Sequence, residues 1–358
     1  MSETVRVGII GAGANAHERH IPHLRALDDV ELLAVCNRTR ESTEAVTHAY
    51  DIPIGHKDWQ DVIADPDLDA IVIGTWPNMH CRVAVAALKA GKHVLCEARM
   101  ARSASEAWEM LSVAQANPHL VAQLVPAPTT FRVDSTIRRL LAEGYLGDLL
   151  AVEIRAGGDF LDRDAPLHWR QDAELSGYNV MSLGIWYETI MRWVGEATSA
   201  LALARVFVKT RKDVEGFLRP VLIPDHIDVL ASLACGAQAH FQISAVTALG
   251  GDPDVYLFGS QGTLRFSGDL LCGGRRGVTA LEEVPIPLTE QGTWRVEEEF
   301  INAIRGVEPV RLTTFEDGVK YMEFTEAVAR SIATGRVVAL PLFRPTPPTQ
   351  ILLGDGSV

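Results

Sequence analysis

Apolar and polar positions alternate with two different rhythms along the chain. Up to about residue 125, short continuous apolar runs are separated by amphipathic stretches. Strands are predicted over 5–10, 30–36, 69–74, 93–96 and 121–124, with a short edge segment at 52–54. Helices are predicted after the first strand through Leu27, over 42–49, 59–64 and 81–90, and from Ser103, where Glu106 completes a capping-box pattern. Gly91 is placed to stop the fourth of these helices. Strands that are apolar throughout, separated by helices, predict a parallel sheet covered on both faces.

After Pro126 and Pro128 the rhythm changes. A helix over 136–143, stopped by Gly144, leads to a strand at 149–155, a loop rich in Asp and Arg, and a helix over 178–194. Strands follow at 201–208, 227–234, 239–246, 254–258 and 262–266, broken by Gly and Pro turns. Helices over 294–305 and 317–333 close the pattern, and Pro and Gly dominate after Leu340. The expected fold is an α/β Rossmann domain plus an α/β domain with an open, predominantly antiparallel sheet. The expected divisions are 1–125, 126–340 and a tail at 341–358.

Composition narrows the function classes. A chain of 358 residues is long enough for two cores. A formal net charge of −13 argues against a nucleic-acid partner. No uncharged apolar run is long enough for a membrane span, and the N-terminus lacks a signal-peptide pattern. Five scattered cysteines, with no CxxC and no Cys/His cluster, give no metal site and fit a reducing cytoplasm.

Gly11-Ala12-Gly13-Ala14-Asn15-Ala16 fits the G-x-G-x-x-G/A pattern between the first strand and its helix. Gly11 permits the tight turn, Gly13 lets backbone approach a pyrophosphate, and Ala16 allows close helix–strand contact. Asn37 stands at the end of the second strand, where an NAD enzyme usually carries an acid for the ribose 2′-hydroxyl. Arg38 follows it. Together they lean the expected cofactor, NAD(P), toward NADP.

Six segments in order resemble the glucose–fructose oxidoreductase, inositol dehydrogenase and rhizopine-catabolism (Gfo/Idh/MocA) family. They are GAGANA, the Thr75–His80 segment, AGKHVLCEARMA at 90–101, LLAEGYLGDLLAVEIR, LHWRQDAELSGYNVMSLGIWYE and EDGVKYMEFTEAVARSIATG. The resemblance implies a substrate bound between the domains, commonly a sugar, polyol or related carbohydrate. It also implies a homo-oligomer, dimer or tetramer, built through the open sheet. The expected cofactor contacts are Gly11, Gly13, Ala14, Asn15, Asn37, Arg38, Thr75, Trp76, His80, Glu97, Trp169 and Arg170.

The departures are as informative. The family's Glu-Lys-Pro motif aligns with Glu97-Ala98-Arg99, and its later Asp and His or Tyr align with Ser182 and Trp186. Alanine cannot titrate, indole only donates, and serine without a helper is a weak base. The catalytic candidates are therefore Tyr178, His168 and Glu97, with Arg99 anchoring an anionic substrate group or stabilising an oxyanion rather than accepting a proton. Arg99, Asp164, His168, Ser182, Trp186 and Tyr187 are the expected substrate contacts. Three readings stay open. They are an oxidoreductase with a rebuilt acid/base set, a redox-neutral NAD-assisted glycoside hydrolase or lyase, and a cofactor-binding protein without catalysis.

Overall fold

A computed structural model describes residues 4–343, so most of the predicted tail lies outside the described residues. The first sheet has six parallel strands: β1 (Val5–Ile10), β2 (Val30–Cys36), β3 (Ile54–Gly55), β4 (Ala70–Ile73), β5 (His93–Cys96) and β6 (Ala122–Leu124). Their order is β3-β2-β1-β4-β5-β6, so the chain reverses direction across the sheet between β1 and β4. Ligands of open α/β sheets bind outside the strand ends at that reversal.

A π-helical turn (Ala16–His20) leads into α1 (Ile21–Arg25). Next come α2 (Arg40–Tyr50), α3 (Trp59–Ala64), α4 (Pro77–Lys89) and α5 (Ala104–Ala116). Their starts follow from local chemistry. The Thr39 hydroxyl accepts the Ser42 N–H at 3.2 Å, Ser103 accepts the Glu106 N–H at 3.3 Å, and Pro77 opens α4. Val5, Val7 and Ile9 of β1 pack with residues of α1 and α2 on one face of the sheet. Ile10 packs with α3, α4 and α5 residues on the other.

The second half holds α6 (Phe131–Ala142), β7 (Leu149–Ala156), α7 (Ala173–Ser176) and α8 (Leu183–Val194). Its strands continue with β8 (Ala197–Arg205), β9 (Thr210–Lys212), β10 (Leu218–Pro220), β11 (His226–Leu233), β12 (Gln238–Ser244) and β13 (Asp254–Gly259). The last are β14 (Gly262–Ser267), β15 (Leu270–Arg275), β16 (Glu282–Glu283) and β17 (Val338–Ala339). Nine of them form one sheet, β16-β15-β14-β13-β7-β12-β11-β8-β17, while β9 and β10 pair as a separate ribbon. Only β7 and β12 run parallel, so the expected mostly antiparallel sheet is present. The pattern did not anticipate the short β9, β10, β16 and β17, which carry too few alternating residues, or β15, which contains two glycines.

The predicted helix over 178–194 is shorter than expected. It begins at Leu183, because Gly177 and Met181 take positive φ values of 65° and 42°. Those conformations cannot continue a right-handed helix. Tyr178 therefore does not share a helix face with Ser182.

Two late helices return to the first sheet. From α9 (Val296–Ile304), Val296, Phe300 and Ile301 join the β1 core. From α10 (Phe315–Thr334), three side chains bind the segment that runs from β5 into α5. Tyr321 Oη accepts the Met100 N–H at 2.7 Å, Glu326 accepts the Ala104 N–H at 2.9 Å, and Glu323 accepts the Trp108 indole N–H at 3.0 Å. The segment after β5 is thereby gripped from both halves of the chain. Among the described residues, no helix is long and apolar enough to cross a membrane.

Gly177 makes a second clasp. The neighbouring Tyr178 N–H donates to the Arg102 carbonyl at 2.9 Å, and a Cβ at Gly177 would lie 2.2 Å from that same oxygen. Gly177→Ala combines positive-φ strain with a backbone clash, for an expected loss of about 2 kcal/mol or more. Urea denaturation of the variant checks this; an unchanged midpoint would show that the loop yields freely.

Candidate active site

The glycine turn lies at the β1/β4 reversal. Gly11, at φ +87°, approaches so closely that a Cβ there would sit 2.7 Å from the Thr75 nitrogen, and a Cβ at Gly74 would sit 2.3 Å from the Gly11 oxygen. Gly13 and Ala14 are exposed, and a Cβ at Gly13 would meet nothing nearer than the Gly74 oxygen at 3.7 Å. The turn thus offers open backbone at the start of a helical segment, where free N–H groups favour an anion. Thr75 Oγ1 and Asn78 Oδ1, beside it, are buried without a hydrogen-bond partner. These features fit the pyrophosphate-bearing half of a dinucleotide.

Asn37 is committed to the protein. Its Oδ1 accepts the Ala12 N–H at 2.7 Å and its Nδ2 donates to the Ser42 carbonyl at 3.1 Å. It braces the glycine turn from behind. Arg38 is free of ion pairs among the described residues and lies over the Trp76 ring at 5.3 Å. Trp76 stacks on Trp169 at 6.4 Å, and the Arg170 guanidinium covers Trp169 at 4.2 Å. This column of rings and guanidiniums joins the two halves of the chain.

Glu97, just past β5, is held by three donors. Asn15 Nδ2 and His20 Nε2 (2.9 Å) reach Oε1, and the Ala98 N–H reaches Oε2 at 3.0 Å. The other ring nitrogen of His20 lies 2.5 Å from Glu297 of α9, which also accepts the Trp294 indole N–H at 2.7 Å. Burial opposes charge on His20, but hydrogen bonds to Glu297 and Glu97 outweigh it and raise the pKa to about 9. Burial likewise opposes charge on Glu97, and the bond and charge of His20 overcome it, holding Glu97 ionised. The sequence pattern gave no sign of His20 or Glu297, because the partners are separated by 277 residues.

Beyond Glu97 opens a small cavity lined by Pro77, Ala98, Arg99, Trp169, Arg170, Ser176, Asn179, Met181 and Ile185. Arg99 Nε and Nη1 are buried with no hydrogen-bond partner. Asn179 donates from Nδ2 to the Ala101 and Ser176 carbonyls at 2.9 and 2.7 Å, which leaves its buried Oδ1 unpartnered. The expected Arg99, Trp169 and Arg170 are thus brought together. Asn179 was missed, because only the turn that replaces the predicted helix points it inward.

Other expected residues lie elsewhere. His80 is fully buried between the Arg99 and Thr75 carbonyls, each at 2.9 Å. It has no surface for a cofactor and instead positions the two turns that do; burial lowers its pKa. Tyr187 stacks on Phe324 at 3.7 Å and its hydroxyl accepts the Ala197 N–H, so it is core and not a substrate contact. Trp186 is likewise buried, at 3% exposure. Ser182 precedes α8 and its carbonyl accepts the Ile185 and Trp186 N–H groups. Asp164 is exposed in a turn organised by Asp162 Oδ1. His168 Nδ1 accepts the Arg170 N–H at 3.2 Å, so a neutral ring carries its proton on Nε2. Burial and the Arg170 charge lower its pKa. Tyr178 is half-exposed, flanked in sequence by Gly177 and the cavity-lining Asn179.

Comparison with known proteins agrees with this geometry. Residues 5–123 match the oxidoreductase family with an NAD-binding Rossmann fold, and residues 135–265 match the GFO/IDH/MocA C-terminal domain. The chain belongs to the GFO/IDH/MocA oxidoreductase family. An uncharacterized oxidoreductase of Rhizobium meliloti, ORF334, is 25% identical over 93% of this chain and 98% of its own length. The trans-1,2-dihydrobenzene-1,2-diol dehydrogenase of Bos taurus is 28% identical over 51% of this chain and 53% of its own. Among solved structures, apo levoglucosan dehydrogenase superposes with a TM-score of 0.83 at 20% identity, over 96% of this chain and 100% of that one.

The histidine between two carboxylates makes stability pH-dependent. The folded pKa of His20 is raised from 6.5 to about 9, so its contribution is complete below about 6.5 and is lost as pH rises through about 9. His20→Gln is expected to be less stable than wild type at neutral pH by about 2 kcal/mol, with the gap narrowing as pH rises from about 6.5 and largely closed above pH ~9. Denaturant titrations at several pH values check this; a pH-independent gap would contradict it.

Proposed function

We propose that the protein oxidises or reduces a sugar, polyol or sugar-acid derivative with NAD(P), using an acid/base set unlike that of its family. The observation that supports this reading is a cavity lined both by Ala98 and Arg99, from the segment after β5, and by Trp169, Arg170 and Asn179 from the second half of the chain. Glu97, next to Ala98 in sequence, binds Asn15 of the glycine turn, and Trp76 stacks on the cavity-lining Trp169. A bound nicotinamide would supply the hydride acceptor or donor there. Levoglucosan dehydrogenase, a structural neighbour, forms a complex with NADH and L-sorbose, and the bovine relative is a diol dehydrogenase.

Glu97 keeps an orienting role in this reading, because its oxygens already accept from three donors. Arg99 is too basic to move a proton at neutral pH. His168 donates through Nε2 and does not accept, since Nδ1 is occupied. Tyr178 therefore becomes the proton carrier. The two outer leucines Leu203 and Leu230, exposed on adjacent strands of the nine-stranded sheet, support a homo-oligomer built on that face.

Cofactor absorbance followed against a panel of sugars, polyols and sugar acids tests the activity; no turnover with any of them would refute it. Tyr178→Phe is expected to lower kcat by about a hundredfold without weakening cofactor binding. Arg38→Ala is expected to raise the KM for NADP about tenfold more than that for NAD, since a charged contact to the 2′-phosphate is lost. Equal effects on both cofactors would remove the preference for NADP.

A further inference from the structure

Arg99 is an anomaly. Its Nε and Nη1 are closed off from solvent, accept no partner, and face no carboxylate in an ion pair among the described residues. The Tyr321 ring lies 5.8 Å from its guanidinium carbon. Gly184 makes the room: a Cβ there would lie 2.7 Å from both Cδ and Nε of Arg99. Leaving buried charged donors unpaired costs about 1–3 kcal/mol or more. Such an arrangement is stable against substitution only if something else completes it.

Arg170 lines the same cavity. It too has no ion pair among the described residues. Burial and the nearby charge of Arg99 lower its pKa, so the two guanidiniums are close enough to oppose each other. Glu97 is the nearby carboxylate, and it is already shared among His20, Asn15 and the Ala98 N–H. The cavity therefore holds two cations with no anion of its own. Of its other polar side chains, Ser176 donates to the Trp169 carbonyl at 3.2 Å, while Asn179 Oδ1 is held in place because Nδ2 binds two carbonyls.

We infer that Arg99 and Arg170 form an anion clamp for the carboxylate of a polyhydroxy acid, with Asn179 Oδ1 accepting a hydrogen bond from one of its hydroxyls. The inference rests on the dehydrogenase reading for its placement and narrows the substrate from carbohydrates at large to sugar acids. A planar carboxylate matches the arginine fork, and the second guanidinium supplies the other half of a two-sided grip. The paired cations favour an acid over a neutral sugar, because a neutral sugar's hydroxyls can accept from the guanidiniums but bring no charge to offset theirs.

The test titrates the full chain, loaded with NADH, with D-glucuronate, D-gluconate, D-glucose and D-glucose 6-phosphate, reading tryptophan fluorescence. Trp169 lines the cavity, with Trp76 stacked on it, and reports occupancy. At least one acid is expected to bind about tenfold or more tightly than glucose. Arg99→Met and Arg170→Met are each expected to bring that ratio near one, and Arg99→Lys to restore part of it. The urea denaturation midpoint of each variant shows that the fold is intact. Equal binding of glucose and both acids, no binding of either acid, or tightest binding of the phosphate would each overturn the clamp. Turnover separates the two claims. Acids that bind but are turned over in neither direction, with NAD(P) or with NAD(P)H, refute the dehydrogenase reading and leave the clamp. Turnover of neutral sugars with no preference for acids does the reverse.

Discussion

His20 is fully buried between Glu97 and Glu297, and three distant parts of the chain meet on it. His20 ends the helical segment that follows the glycine turn, Glu97 follows β5, and Glu297 belongs to a helix from the far end of the sequence. Two carboxylates would repel each other in a dry interior, and one imidazolium between them turns that repulsion into attraction. The neighbouring bond from Asn15 to the same Glu97 oxygen extends the grip to the glycine turn itself. Remove the imidazolium, and two buried charges are left partly unpaired at the point where the cofactor turn and the reactive segment touch. The shape of the cleft depends on this pairing more than on any single apolar contact, because the apolar packing is spread over many residues and this is not.

The same logic explains which parts of the fold were legible in the sequence. Strands β1, β2, β4 and β5 are short apolar runs, and the caps at Ser103 and Gly91 are local, so both could be read from neighbours in sequence. The glycine turn was legible for the same reason. What depended on distant partners was not. Asn37 occupies the ribose position, yet its amide closes the turn behind Gly11 because Ala12 N–H and the Ser42 carbonyl are within reach. Tyr187 has the flat face of a sugar contact, but Phe324, from the far end of the chain, covers it. The helix predicted over 178–194 failed at Gly177 and Met181, where docking against Arg102 fixes a backbone that helical periodicity cannot reveal.

The segment 97–104 shows how the two halves of the chain cooperate. Its backbone is bound by Tyr321 and Glu326 of α10, by His80 of α4, and through Arg102 by the Gly177–Tyr178 turn. Side chains on a segment held from so many directions have few alternative positions. That rigidity is what allows Arg99 to remain with unpaired donors, since relaxation toward solvent would break several of these bonds at once.

On the alignment with the family's Glu-Lys-Pro motif, the positive charge has moved by one residue, from position 98 to Arg99. The move changes its chemistry and not only its place. A lysine amine can lose its proton when its surroundings demand it, and so can take part in proton transfer. A guanidinium offers a fixed fork of donors, so Arg99 can hold an anion. One shift therefore accounts for two departures together. Under the proposed function, the cleft would lack a proton carrier on the first domain, Arg99 would act there as an electrostatic anchor, and proton transfer would fall to the second domain. There Gly177 and Met181 unwind the chain just where Tyr178 and Asn179 stand, giving the second domain a non-helical turn at the cavity edge.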